Sequence, residues 1–158
     1  MAFERTLIIL KPDAVARRLV GRVISRFEDK GLSLVGMKLM KISPALAQRH
    51  YAEHKGKPFY PALLKFITSG PVVVMAVEGN GAVAVCRKLL GATFGFNAEP
   101  GTIRGDFGVS SGFNLVHGSD SVKSAKRELA LYFKKAELLT CAKEELKWIY
   151  DWADGTAR

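Results

Sequence analysis

Apolar and polar positions along this chain repeat with two periods that take turns. The segment TLIILK is a short apolar run of β-formers and predicts a strand. LVGRVISRFEDKG then places Leu19, Val20, Val23, Ile24 and Phe27 on one helical face and stops at Gly31. LSLVGMKLMKI alternates as a strand does, and SPALAQRHYAEHK follows with Ser43 as N-cap and Pro44 at the first helical position. PFYPALLKFITSG predicts a helix, PVVVMAVEG a buried strand, and GAVAVCRKLLG a helix stopped by Gly91. Residues 92 to 112 form a long glycine-bearing loop with at most one helical turn, a length that usually serves function. FNLVH closes the pattern as a strand, and SVKSAKRELALYF as a helix with Val122, Ala125, Leu129 and Phe133 inward.

The order β-α-β-α-α-β-α-β-α admits a doubly wound parallel sheet. Short connections and two helices between the second and third strands fit a split βαβ as well. That alternative is a ferredoxin-like α+β fold with a four-stranded antiparallel sheet covered by helices on one face. Its second face would be open to an added helix or a partner. With 158 residues, 48% of them apolar, and no internal repeat or linker, the expectation is one domain over 1–158 with a C-terminal tail from about 141. Trp148, Ile149, Tyr150 and Trp152 should dock on this subunit or a neighbour, whereas the last polar residues should be mobile.

Composition adds two constraints. No stretch reads as an export signal or a membrane span, and Cys86 and Cys141 stand apart without a disulfide framework, so a cytoplasmic protein with reduced thiols is expected. A net charge of +9 favours anionic partners such as nucleotides or nucleic acid, although scattered basic residues are also what solvated helix faces supply.

The candidate chemistry centres on His117, at the end of a predicted strand and followed by Gly118, which would leave room beside the ring. A neutral imidazole can attack phosphorus through one nitrogen if an acceptor fixes the proton on the other, and Glu128 on the next helix is placed to accept. The same residues could equally be a core histidine and a surface carboxylate. Lys11, Arg87, Thr93 and Arg104 supply two guanidiniums, an ammonium and a hydroxyl from separate places, a set suited to phosphoryl transfer. There is no GxxxxGK[ST] and no GxGxxG, so a standard P-loop or dinucleotide site is unsupported. HYAEH matches the HxxEH zinc pattern through His50 and His54, but it is also an ordinary polar helix face and lacks a conspicuous third ligand.

NLVHGSDS, PGTIRGDF, ERTLIILKPDAV, LVGRVISRFEDKG, HYAEHKGKPFY and SGPVVVMAVEG stand in the order and spacing of the nucleoside diphosphate kinases, and from about Glu4 to Tyr150 the chain resembles that family. The resemblance implies a ferredoxin-like fold and a ping-pong reaction in which a nucleoside triphosphate passes its γ-phosphate to His117 and a nucleoside diphosphate collects it. It implies that His117 attacks through Nδ1 with Glu128 and Ser119 in support, and that Lys11, Tyr51, Arg87, Thr93 and Arg104 surround the phosphates. Lys11 and Asn114 would reach the sugar, and Phe59 would stack on the base, which makes base identity unimportant. ATP, GTP, ADP, GDP and their deoxy forms are the implied substrates. Mg2+ is the implied cofactor, held mainly by the nucleotide phosphates rather than by protein ligands. The WIYDW tail resembles that of hexamers built from dimers. Five positions depart from the family pattern: Phe94 and Gly95 replace a usual Asn-Pro, Ser111 a usual aliphatic residue, Phe113 a usual arginine, and Ala14 a usual glycine. These touch base packing and subunit contacts, not the reacting groups; Phe94 could bury its ring between subunits in place of the missing proline. Two rivals are a nucleic-acid-binding ferredoxin-like module, which lacks the aromatic RNP signature here, and an inactive scaffold that retained the fold. Nucleic acid is then a secondary partner at most.

Overall fold

The computed structural model describes residues 3–140, 146–153 and 156–157. Four strands form one sheet, β1 (Phe3–Leu10), β2 (Ser33–Lys41), β3 (Pro71–Asn80) and β4 (Val116–Gly118), in the order β2-β3-β1-β4. Every neighbouring pair is antiparallel, which is the ferredoxin-like alternative and not the doubly wound one. Among the described residues, seven α-helices with defined bounds accompany the sheet: α1 (Pro12–Ala16), α2 (Val20–Glu28), α3 (Pro44–His50), α4 (Tyr60–Ile67), α5 (Ala82–Leu90), α6 (Ile103–Phe107) and α7 (Val122–Tyr132). The chain's last strand pair, β5 (Trp152–Ala153) and β6 (Thr156–Ala157), is separate from the sheet.

The alternation of β1 explains the layers. Ile8 and Leu10 point into a core completed by Val73, Met75 and Val77 of β3 and by Val23 and Phe27 of α2, Cys86 and Leu90 of α5, and Ile103 of α6. Leu7 and Ile9 point the other way, into a core with Val72, Val74 and Ala76, Ala47 of α3, Ile67 of α4 and Leu129 of α7. The second face is therefore not vacant, contrary to the expectation from the sequence pattern. The α3–α4 pair and α7 cover it, which is why β1 and β3 read as continuous apolar runs. Each fully buried Phe, Leu or Ile contributes about 1.5–3 kcal/mol relative to exposure, so both layers are strongly held to one sheet.

Local signals set most boundaries. Ser43 Oγ accepts from Leu46 N–H (3.2 Å) at the start of α3, and α5 ends at Gly91 with φ of 82°. Three features depart from the sequence reading. The short helix α1 follows Lys11-Pro12 where no helix was expected, with proline filling the first turn and Asp13 beside it. The strand read from Phe113 begins only at Val116, because Leu115 adopts a left-handed φ of 69° that cannot continue a ladder. Val122 is 43% exposed rather than inward, while Ala125 and Leu129 face the core as expected and Phe133 is buried just past the helix end.

The tail divides. Tyr150 packs its ring edge on Phe3 (centroids 5.9 Å apart) and its hydroxyl accepts from Asn80 N–H at 3.1 Å. Ile149 fits against Gly31, whereas Trp148 stays 85% exposed. Cys141, the side chain of Trp152 and the end of the polar tail lie outside the described residues, as do the expectations made for them.

Within the long loop, Phe94 stacks on Phe96 with rings 5.8 Å apart and nearly parallel at 8°, and Gly95 is buried. A Cβ on Gly95 would stand 2.3 Å from Gly108 O and 2.4 Å from its carbonyl carbon. The close approach of two backbones accounts for glycine where the resemblance leads one to expect proline. Gly95→Ala must push these strands of the loop apart, at a cost of about 1–3 kcal/mol and a fall in Tm of about 3–9 °C by calorimetry; an unchanged Tm would mean the loop does not close this way in solution.

Candidate functional site

The antiparallel pairing of β4 with β1 aligns His117 with Ile9, so the imidazole emerges on the face covered by α3 and α7. Its neighbours in register, Val116 and Gly118, face the other core. A Cβ on Gly118 would meet Leu90 Cδ1 at 2.7 Å and Ile8 Cδ1 at 3.2 Å. Glycine is thus required by the packing of α5 on the sheet, and not, as the sequence suggested, by room beside the histidine.

On α7, Glu128 is buried on the inner face between Ala125 and Leu129. Its Oε2 lies 2.9 Å from His117 Nε2 and accepts from Ser119 Oγ at 2.7 Å. Ser119 Oγ is itself fixed by the Leu7 N–H (3.3 Å), so β1, β4 and α7 meet at one carboxylate. Burial pushes the Glu128 carboxyl up, but the hydrogen bonds from His117 and the Ser119 hydroxyl are among the contacts that outweigh it and hold the group below the usual carboxylate range. A carboxylate accepts only, so Nε2 carries the imidazole proton and Nδ1 the lone pair.

His50 closes α3 and is 3% exposed, which corrects the reading of HYAEH as a polar helix face. The helix ends there, and the one-turn 3-10 segment Ala52–His54 carries His54 away toward Lys57 and Phe59. The His50 ring stands edge-on to His117 (4.6 Å), Tyr51 (4.4 Å) and Tyr132 (5.5 Å). Burial, and then the neighbouring His117, lower its pKa to about 3, so it is neutral at any physiological pH. Neither of its ring nitrogens has a hydrogen-bond partner among the described residues, and the same holds for the Tyr51 and Tyr132 hydroxyls. Each such group costs about 1–3 kcal/mol when left unpaired. Burial pushes both phenols well above their ordinary range, so both keep their protons.

Opposite these rings lies a cationic wall. The Lys11 ammonium donates to Asn114 Oδ1 (2.6 Å), and Asn114 Nδ2 donates to Thr93 O (3.0 Å). Burial, reinforced by Arg104 and opposed by Asp13, lowers the pKa of Lys11 to about 8. Arg104 is buried too. It donates from Nε to Asn114 O (3.1 Å), from Nη1 to Gly91 O (2.8 Å) and Ala92 O (3.4 Å), and from Nη2 to Val116 O (2.8 Å). Burial and the charge of Arg87 lower its pKa to about 10, which leaves it charged. Asp13 Oδ2 accepts from the N–H of Leu115 (3.0 Å), whose carbonyl accepts from Lys11 N–H (2.8 Å), so the left-handed residue is pinned from both sides.

Lys11, Tyr51, Arg87, Thr93, Arg104, Asn114, His117 and Glu128 all line one cavity of about 410 Å³. Phe59 stands half-exposed near its rim, with its ring 5.5 Å from that of His54, which also lines the cavity. Ser119 lies beneath, reaching the cavity through Glu128. A larger apolar groove of about 740 Å³ between the start of β1 and α7 contains none of these groups. Sequence reasoning overlooked three contributors: the burial of His50, Asp13 as the anchor of Leu115, and Asp120 on the cavity wall. Only Asp13 left a trace in the sequence, as the acid in the first turn of a helix opened by proline.

Residues 4–138 match the family model described as nucleoside diphosphate kinase. A nucleoside diphosphate kinase of Cyanothece sp. is 57% identical over 148 residues, covering 94% of this chain and 99% of the relative. One of Staphylococcus epidermidis is 53% identical with the same coverage. Among solved structures, a halophilic nucleoside diphosphate kinase from Halobacterium salinarum in complex with CDP superposes with a TM-score of 0.92 at 47% identity, covering 95% of this chain and all of that one. A nucleoside diphosphate kinase family protein from Babesia bovis gives 0.90 at 46%, covering 93% and 99%. Fold, sequence and the phosphate-suited cavity agree, and the chain belongs to the nucleoside diphosphate kinase family of phosphotransferases.

Proposed function

We propose that His117 carries the phosphoryl group between nucleotides in a ping-pong cycle. The observation that supports this is the anchoring of Nε2 to Glu128, which leaves Nδ1 as the nitrogen with a free lone pair in a cavity lined by cations. Nδ1 attacks the γ-phosphorus of a nucleoside triphosphate. The N–P bond forms as the P–O bond to the β-phosphate breaks, and its electron pair leaves with the diphosphate. In the return step a β-phosphate oxygen of another nucleoside diphosphate attacks, and the N–P pair returns to Nδ1. Throughout, the Nε2 proton stays on the ring, and the Glu128 carboxylate offsets the positive charge that the phosphorylated imidazole develops.

Lys11 and Arg87 present charge to the phosphates, and the unpaired Tyr51 hydroxyl is free to donate to the transferred group. Arg104 has spent most of its N–H groups on carbonyls, so its contribution is chiefly field and the shape of the loop. Thr93 lines the same wall, and the Lys11–Asn114 pair is placed for the sugar hydroxyls. Phe59 offers a flat face at the mouth, which any base can stack on. The Halobacterium relative binds CDP; we extend this to ATP, GTP, ADP, GDP and deoxy forms as substrates here. The cavity suits magnesium brought in on the nucleotide. Among the described residues no cage of hard oxygen ligands exists, and the carboxylates on the wall, Glu53, Asp120 and Glu128, do not gather into one. When bound, magnesium neutralises phosphate charge.

Subunit association in a hexamer built from dimers is the accompanying reading. Edge strand β2 presents Met37 (57% exposed) and Leu39 (69%), a surface that a second copy would cover. A light-scattering mass equal to six chains is expected; a tetramer or dimer at working concentration would refute the hexamer. No helix among the described residues is long and apolar enough to cross a membrane, and the buried free Cys86 suits the reducing cytoplasm.

Incubation with γ-labelled ATP and magnesium should place one acid-labile, base-stable phosphate per chain on His117, chased off by GDP and lost in His117→Ala. A folded wild type that takes up no label overturns the reading. The pH dependence follows from Lys11. In the free protein its charge is lost as pH rises through about 8, so kcat/KM should decline above that pH, approaching tenfold per unit, and Lys11→Gln should remove that limb. A profile flat to pH 10 would show that Lys11 charge is not used in binding.

A further inference from the structure

We propose that the floor of the cavity is also a binding site for a zinc-class divalent cation, held by His50, His117 and Glu128, and that its occupation shuts the nucleophile off. These three side chains each bring one ligand atom within 4.8 Å of the others. His50 supplies the independent pointer: it is 97% buried by accessible surface, and both of its ring nitrogens lack partners among the described residues. Phosphoryl transfer as derived above gives this ring nothing to do. All three residues line the cavity, so an ion has a path in from solvent, and the open side leaves a position for water.

The donor set decides which ion. Two imidazoles and a carboxylate suit zinc, and cobalt as its visible stand-in, whereas magnesium prefers oxygen ligands and keeps its waters. Metal–ligand bonds of about 2.0–2.2 Å put neighbouring ligand atoms roughly 3–4 Å apart. The ion therefore enters by widening the 2.9 Å contact between His117 Nε2 and Glu128 Oε2 and by a small turn of His50. Ser119 Oγ still donates to the carboxylate and keeps it oriented. The nearby cations, Lys11 and Arg127 among them, weaken the site without changing its ligands.

The functional consequence follows from proton bookkeeping. In the metal-free ring the proton is on Nε2 and the lone pair on Nδ1. A cation coordinated by Nε2 needs the electron pair that the proton holds there, so the proton moves to Nδ1 and the ring stays neutral overall. Nδ1 then has no pair with which to attack phosphorus. Magnesium on the nucleotide and zinc on the protein would thus act oppositely from two places. His54, although paired with His50 in the HxxEH pattern, points elsewhere and takes no part.

Equilibrium dialysis of the nucleotide-free full chain against Zn2+ tests the site directly, with Co2+ absorption reporting nitrogen-rich coordination. One zinc per chain is expected, with affinity at least tenfold lower in His50→Phe and unchanged in His54→Ala. Circular dichroism checks each fold, and His50→Asn substitutes if the Phe variant does not fold. No stoichiometric zinc in the wild type, wild-type affinity in a folded His50 variant, or loss of affinity in His54→Ala would each overturn the site. The shut-off rests on His117 as nucleophile and is read separately, by rapid mixing of zinc-loaded protein with labelled ATP and magnesium. Labelling should lag behind that of the metal-free protein, and the lag should vanish in His50→Phe. Labelling at the metal-free rate would refute the shut-off. Absence of label without zinc would refute the phosphohistidine, while dialysis still decides the site.

Discussion

The cavity depends on a buried guanidinium. Arg104 stands on α6 inside the long loop, yet its N–H groups reach back to Gly91 and Ala92, where the loop begins, and forward to Asn114 and Val116, where it ends. One side chain therefore closes a loop of more than twenty residues. Charge-assisted hydrogen bonds of this kind are worth about 1.5–3 kcal/mol each, enough together to offset the cost of burying the charge and closing the loop. Carbonyls satisfy a guanidinium without neutralising it. The result is a rigid wall that keeps its positive charge.

The same logic governs the opposite wall with the sign reversed. Glu128 is buried, and its neighbours leave it ionised: His117 and Ser119 share one oxygen, while Arg127 Nη2 lies 3.6 Å from the other. A buried carboxylate is costly unless paired and hydrogen-bonded. Here the pairing also selects a tautomer, so the interaction that makes the burial tolerable prepares the nucleophile. Leu115 shows how tightly the geometry is specified. Its left-handed backbone stands two residues before His117, held by Asp13 on one side and Lys11 on the other.

How far the sequence reaches can be judged residue by residue. Hydrophobic periodicity located the inward residues of α2 and, Val122 apart, those of α7, because local burial imposes a local period. It also put Glu128 at the edge of an apolar stripe, which is where the carboxylate turns inward. Periodicity could not say that helices cover both faces of the sheet, since that depends on where the α3–α4 pair folds back. Nor could it place His50. The helix breaks between His50 and His54, so a spacing that reads as one face becomes two, with one ring buried against His117 and the other left near the rim. Lys11, Arg87, Thr93 and Arg104 were recognisable as phosphate-suited types. That Arg104 spends its donors on backbone is a tertiary fact that no spacing encodes.

The two ends of the cavity are built to different standards, and this bears on what is recognised. At the cationic end, Lys11, Asn114, Thr93 and Arg104 form one continuous hydrogen-bonded network with little freedom to adapt. Positive charge is concentrated there at a cost visible in Lys11, whose pKa is lowered to about 8. A phosphate bound there, as proposed above, would remove that cost and draw the ammonium back toward full protonation, so binding energy would be released at the part every nucleotide shares. At the mouth, Phe59 is half-exposed beside His54 and Lys57, on a short segment between the 3-10 turn and α4. A flat ring in an open setting discriminates weakly. The proposed division of labour, affinity from the rigid end and tolerance from the open one, rests on one fold, because one end is tied by Arg104 and the other rests on the covering helices alone.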